Sequence, residues 1–215
     1  MASIKTRTTD FFTKYPLHTF NKGQLLVRAE SELKDVFYIV EGRVSQYDIT
    51  TSGNEVVVNA FKPGTFFPMS TAINGTPNHY FFEASTKTAV HVIPAADAVQ
   101  FLKDNPDVLF DLLARVYRGV DGVLRRMAHL MGGGAKTRLI FELLNAAYRF
   151  GEQQPNGSVL LQLNESDLAR HSGLARETIS RLVQDLKAAG LVTIGQQGIT
   201  LQDTAQLESM LDSDL

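Results

Sequence analysis

Four side chains lying within about one and a half helical turns, Arg176, Glu177, Ser180 and Arg181, carry the groups needed to read the edges of base pairs. An arginine pairs in bidentate fashion with guanine O6 and N7, and a carboxylate accepts from the cytosine amino group. A helix laid in the major groove makes such contacts from its first turns. The same four side chains also suit a solvated face with an internal pair, Glu177 to Arg181, worth only a few tenths of a kcal/mol. What surrounds the helix decides between the two.

The segment "ESDLARHS" predicts a first helix, opened by Asn164 and Asp167 in a capping-box arrangement. Gly173 allows a tight turn, and "RETISRLVQDLKAAG" predicts the second helix. Leu168, Ala169, Leu174, Ile179, Leu182 and Leu186 supply a small core between them. "LVTIGQQGITLQD" then reads as two short strands with a glycine-flanked turn. Helix, turn, helix and hairpin make a winged helix-turn-helix, which favours the base-reading interpretation. Phosphate contacts fall to Arg170, His171, Lys187, Gln196 and Gln197, which set register without reading sequence. Between Ala135 and Asp203 seven Lys and Arg balance seven Asp and Glu, so affinity has to come from local geometry and from pairing of two copies.

Upstream, "DVLFDLLARVYRGVDGVLRRMAHLM" places Leu109, Leu113, Val116, Val120, Val123, Met127 and Leu130 at alternating spacings of four and three. This 3.5-residue repeat keeps one stripe facing a partner helix and predicts a homodimer seam. A second stripe, Phe110, Tyr117, Leu124 and Met131, offers a face for the helix's own domain. Gly132 to Gly134 predict a helix stop and hinge. "GGGAKT" lacks the glycine that a phosphate-binding loop needs before its lysine, and it follows a helix instead of a strand. Between about Thr19 and Pro94, short β-branched and aromatic runs cut by glycines predict an antiparallel sandwich or jelly roll.

The composition removes several chemistries. Among 215 residues there is no cysteine, hence no disulfide, thiolate metal site or cysteine nucleophile. No nucleophile with an adjacent base, carboxylate pair or metal triad emerges from the spacing, so an enzyme is not expected. The N-terminus lacks an apolar signal segment and no apolar stretch is long enough for a bilayer, which predicts a cytoplasmic chain without membrane contact. The tail "QLESMLDSDL" reads as acidic and solvated.

"GLARETISRLVQDLKAAGLV" resembles the recognition helix of the cAMP receptor protein and fumarate–nitrate regulator (Crp/Fnr) family, and the order of the other elements matches across nearly the whole chain. The resemblance implies a homodimeric transcription regulator on palindromic double-stranded DNA. Arg176, Glu177 and Arg181 match residues that read TGTGA half-sites, while Ser180 resembles the branch that reads TTGAT; TGA is common to both. Ala175 stands where the family carries a capping serine, at a cost of about 1 kcal/mol in local helix stability. Residues 152–158 lie where family members touch RNA polymerase. A small-molecule-binding protein whose winged helix contacts proteins is the rival reading.

In cyclic-nucleotide-binding members a Gly-Glu pair and an Arg-Ser pair hold the ribose and the phosphate. Pro68 and Met69, then Asn78 and His79, occupy those positions here, and Val123 and Leu124 replace the Thr-Ser pair that touches the base. A buried monoanion without a cation is strongly disfavoured, so cAMP is not expected to bind. Three readings of the pocket follow. It takes another, less charged effector through Met69, Ser70, Thr71, Asn78 and His79, lined by Phe66, Tyr80, Phe82, Val123 and Leu124; its own aromatics fill it; or His79 or His91 ligates haem or a metal. No cofactor or metal ligand set is assigned.

The expected fold is α+β: an N-terminal antiparallel β jelly roll over 1–106, a dimerisation helix over 107–131, a hinge at 132–134 and a winged helix-turn-helix over 135–215.

Overall fold

The structure is a computed structural model describing residues 3–51 and 53–212, with the side chains of Leu130 and Asp212 outside the description. Contacts divide the chain into two units, Met1–Arg118 and Gly119–Leu215.

In the first unit the alternating runs form β1 (Leu17–Phe20), β2 (Leu25–Val27), β3 (Asp35–Glu41), β4 (Val44–Ile49), β5 (Glu55–Phe61), β6 (Phe66–Phe67), β7 (Phe81–Ala84) and β8 (Thr88–Pro94). They pair antiparallel in two four-stranded sheets, β1-β8-β3-β6 and β2-β7-β4-β5. The β3–β4 turn requires glycine: Gly42 has φ +87°, and a Cβ there would meet the Lys87 carbonyl at 2.3 Å. Side chains of both sheets meet in a core of Val27, Phe37, Ile39, Val44, Phe67, Phe82 and Val90. Within it Phe67 stacks on Phe37, Phe61 and Phe82 with ring centroids 5.6, 4.9 and 5.1 Å away.

A second cluster closes the roll on another side. It joins Phe12 of α1 (Ile4–Phe12) to Tyr38, Phe66 and Ile93, to Met69 of α2 (Met69–Asn74), and to Phe101 and Leu102 of α3 (Ala95–Asp104). Helix α1 was not foreseen, because its period is short and six of its nine residues are polar or charged; Phe12 anchors it, stacked on Tyr38 at 4.7 Å.

Helix α4 (Pro106–Gly132) starts in this unit, with Val108 fully buried and Leu112 packed beside it. Arg115 pairs with Asp111 at 2.5 Å and donates to the Gly64 carbonyl at 3.4 Å. The domain-facing stripe is thus Val108, Leu112 and Arg115, correcting the expected one: Phe110 is 70% and Met131 82% exposed. Helical phase explains the difference, since three apolar stripes compete for one domain surface and the first turn, fixed by buried Val108, selects among them.

The second unit contains α5 (Ala135–Phe150), β9 (Glu152–Gln153), β10 (Val159–Leu161), α6 (Glu165–Ser172), α7 (Arg176–Ala188), β11 (Val192–Gly195), β12 (Gly198–Leu201) and α8 (Thr204–Asp212). Its sheet runs β11-β12-β10-β9. One core gathers Leu139, Leu143, Leu161, Leu168, Ile179, Leu186 and Leu201. The supposed solvated tail is largely α8, which buries Leu207 and Leu211 in that core. Its apolar residues four apart outweigh its acidic ones.

The contact boundary between Arg118 and Gly119 falls inside α4, not at the glycine triplet. The reason is polar as well as apolar. Arg126 Nε donates to Glu142 Oε1 at 2.6 Å, and Arg126 Nη2 donates to the His171 carbonyl. Glu142 is 2% exposed, and burial raises its pKa against the opposing pull of Arg126. Burial and then the Arg126 charge push His171 down to about 4.

These shifts carry opposite signs. With its folded pKa below the ordinary 6.5, neutral His171 contributes stability above that value, which is lost as pH falls toward about 4. Glu142, raised, contributes stability at low pH that is lost as pH rises through its folded value. Replacing His171 with Gln should therefore flatten the fall in Tm between pH 6.5 and 4 relative to the unaltered protein. Parallel Tm profiles from calorimetry would mean that His171 titrates alike in the folded and unfolded chain.

Candidate nucleic-acid interface

The helix pair is built as its local sequence dictates. Asn164 accepts from the Asp167 amide at 2.9 Å and Asp167 accepts from the Asn164 amide at 3.0 Å, a reciprocal cap on α6. Helix α6 ends at Gly173 with φ +67°, a left-handed turn that lets the chain reverse into α7. Ile179, Leu182, Val183 and Leu186 anchor one face of α7 in the core. The opposite face then presents Arg176, Glu177 and Arg181 exposed, with Ser180 half-buried between them.

The structure brings these four together as two pairs at helical i,i+4 spacing on one face. Ala175 at the N-cap makes no side-chain bond, leaving amides of the first turn to the solvent side. Glu177 places a negative charge at the positive end of the helix dipole.

The expected phosphate contacts divide. Lys187 is exposed in the last turn of α7, and Gln196 and Gln197 are exposed at the turn between β11 and β12. Arg170 is half-buried, with Nε and Nη2 inaccessible. His171 is half-buried at the end of α6. Burial holds its imidazole neutral at physiological pH in the chain without DNA, so any bond to a phosphate there is from a neutral ring N–H. Sequence reasoning missed Arg126 and Glu142. The signal was present: Glu142 interrupts the apolar stripe Leu139, Ile140, Leu143 and Ala146, and a carboxylate on a buried stripe demands a cation.

The candidate effector residues of the first unit differ in their surroundings. Phe66 and Met69 lie buried in the cluster around Phe12, and Phe82 is core, 1% exposed within the Phe67 stack. Asn78 is a loop brace: its amide donates to the Arg28 carbonyl at 3.1 Å and the Tyr80 carbonyl at 2.6 Å, and it accepts from the Tyr80 amide. Those bonds occupy both of its N–H donors and leave only part of the capacity of its Oδ1. His79 pairs with Glu30 at 2.8 Å on the surface, where Glu30 adopts a positive φ of 59°. Ser70 and Tyr80 are exposed and Thr71 is half-buried. Val123 and Leu124 are exposed on the part of α4 that belongs to the second unit. His91 is buried, its Nδ1 paired with the Tyr15 carbonyl at 2.7 Å. Among the described residues no three His, Cys, Asp or Glu side chains group as a metal site, and no helix is long and apolar enough to cross a membrane.

Residues 17–105 match the cyclic nucleotide-binding domain and residues 137–210 the Crp-like helix-turn-helix domain. The transcriptional regulator SdrP of Thermus thermophilus is 26% identical over 82% of this chain and 84% of its own. The global nitrogen regulator of a Synechocystis species is 24% identical, covering 89% and 86%. Among solved structures, the c-di-GMP responsive global regulator CLP of Xanthomonas campestris superposes with a TM-score of 0.81 at 17% identity, covering 93% of this chain and all of that one. The chain belongs to the Crp/Fnr family of DNA-binding transcription regulators.

Proposed function

We propose that the protein acts as a homodimer on palindromic DNA, each α7 reading a TGA-containing half-site, and that it does so without cAMP. The observation that carries the DNA reading is the exposed face of Arg176, Glu177, Ser180 and Arg181 on a helix whose other side is locked in the core. Pairing rests on the seam. Leu109, Leu113, Val116, Val120, Val123 and Met127 form an apolar row, each 39–51% exposed in the single chain. Burying such a row against a symmetric copy gains roughly 25 cal/mol for every Å² removed from water. The loop from Glu152 to Ser158, exposed except at half-buried Gln154 and buried Ser158, is available for contact with RNA polymerase.

Independence from cAMP is supported by what occupies the roll. The phenyl rings of Phe37, Phe61, Phe67 and Phe82 pack face to face between the sheets, and Asn78 spends its amide on the loop itself. Pro68, Met69, Asn78 and His79 give the cyclic phosphate neither the carboxylate nor the guanidinium of the cAMP-binding pattern. Of the pocket readings, an interior filled by its own aromatics is favoured.

On a site selected from random DNA, Arg181→Ala should cost about 1–3 kcal/mol and relax the preference at one base pair. A protein adaptor would instead show no selected site at all. Val116→Glu with Val120→Glu should convert a dimer into a monomer by sedimentation and abolish binding to paired half-sites; a dimer that persists puts the seam elsewhere. Titration calorimetry with cAMP should give no saturable heat, and micromolar binding would overturn the proposed independence.

A further inference from the structure

Arg126 stands outside the base-reading face, the seam and the jelly roll, yet it touches three elements of the second unit. It projects from α4, pairs with Glu142 of α5 and donates to the carbonyl of His171 in the last turn of α6. A guanidinium at that end of a helix meets unsatisfied carbonyls and the negative end of the dipole. Only the turn Gly173–Ala175 separates α6 from the first base-reading residue, and α6 and α7 share one core. Holding α6 therefore holds α7.

The segment carrying Arg126 also carries Val120, Val123 and Met127 of the proposed seam. The glycine triplet between them and α5 is closed, not slack: the Gly133 amide bonds to the His129 carbonyl at 3.0 Å, and a Cβ on Gly133 would meet Thr137 at 2.7 Å. Across the same turn, His129 packs on Phe141 with centroids 4.5 Å apart. Seam, α4, Arg126, α6 and α7 thus form one unbroken mechanical chain.

We infer that Arg126 is a positioning residue for DNA recognition: it fixes the angle of α7 relative to the seam and thereby sets the half-site spacing that the dimer accepts. This rests on the dimeric, palindromic reading above. Two recognition helices must meet grooves one helical turn apart, so a loosened brace shows as tolerance of wrong spacing while the bases read within each half-site stay the same.

The experiment uses the full chain and a site selected from random DNA by the unaltered protein, with its half-sites then moved apart or together by one and two base pairs. The double variant Arg126→Gln with Glu142→Gln removes both charges, so no carboxylate is left buried alone. The unaltered protein should lose at least about tenfold in affinity per base pair of altered spacing, and the double variant should flatten that loss to within about threefold with its base preferences intact. Arg126→Lys, which keeps the charge but lacks the rigid fork that reaches both acceptors from separate nitrogens, should fall between them. A spacing profile unchanged in both variants, or an equal loss at every spacing, overturns the inference. Should the double variant fail to fold in a thermal scan, the Arg126→Lys profile decides alone, flattened in support or unchanged in refutation. An unaltered protein that selects single, unpaired half-sites overturns the dimer reading itself, and the inference with it.

Discussion

A carboxylate in the middle of a buried helix face is the constraint on which the DNA-binding unit turns. Glu142 cannot sit among Leu139, Ile140 and Leu143 as an isolated ion, because desolvation would cost several kcal/mol. Its partner comes from another helix, α4, and the same guanidinium goes on to the last turn of α6. Satisfying one buried charge thus forces three helices into a fixed relation. Buried ion pairs replaced by well-packed apolar residues often leave a fold equally or more stable, so the value of this pair lies in orientation more than in stability. A hydrophobic contact in the same place would tolerate sliding, whereas an arginine bonded in two directions does not.

The jelly roll solves a different problem with the same economy of elements. A pocket built for a cyclic phosphate leaves space between the roll and its neighbours and supplies charge to the ligand. In this chain the space between the sheets is taken by phenyl rings, and the loop that carries Asn78 is held by that residue's own amide. Both amide donors of Asn78 are bonded to neighbouring backbone carbonyls. A buried donor left waiting for an absent ligand would cost about 1–3 kcal/mol, and a loop that closes on itself avoids that cost.

The recognition elements were readable in the sequence because their signals are local: Asn164 and Asp167 three apart, Gly173 at a left-handed turn, apolar residues at helical spacing on α7, glycines flanking the hairpin. The strands of the roll were readable for the same reason, through alternation. What escaped depends on distant partners. Helix α1 is justified by Tyr38 and Phe101, far along the chain, and α8 by a core to which its two leucines add. The pocket assignment was the least legible. Whether Asn78 faces a ligand or braces a loop turns on the positions of the Arg28 and Tyr80 carbonyls, which spacing alone does not fix.

Charge explains why orientation matters so much here. The winged unit between Ala135 and Asp203 carries as many acidic as basic residues, so a single copy has little of the phosphate attraction that usually dominates affinity for DNA. In the proposed dimer two copies would act together, and the second contact would strengthen the first only if both α7 helices arrive in register. An effective concentration in the millimolar range falls toward zero when geometry forbids simultaneous engagement. A weakly charged reader on a flexible tether would therefore bind poorly at every site. The same reader on a braced helix gains affinity and spacing selectivity from one structural element, because the rigidity that permits the second contact also rejects half-sites placed at the wrong distance.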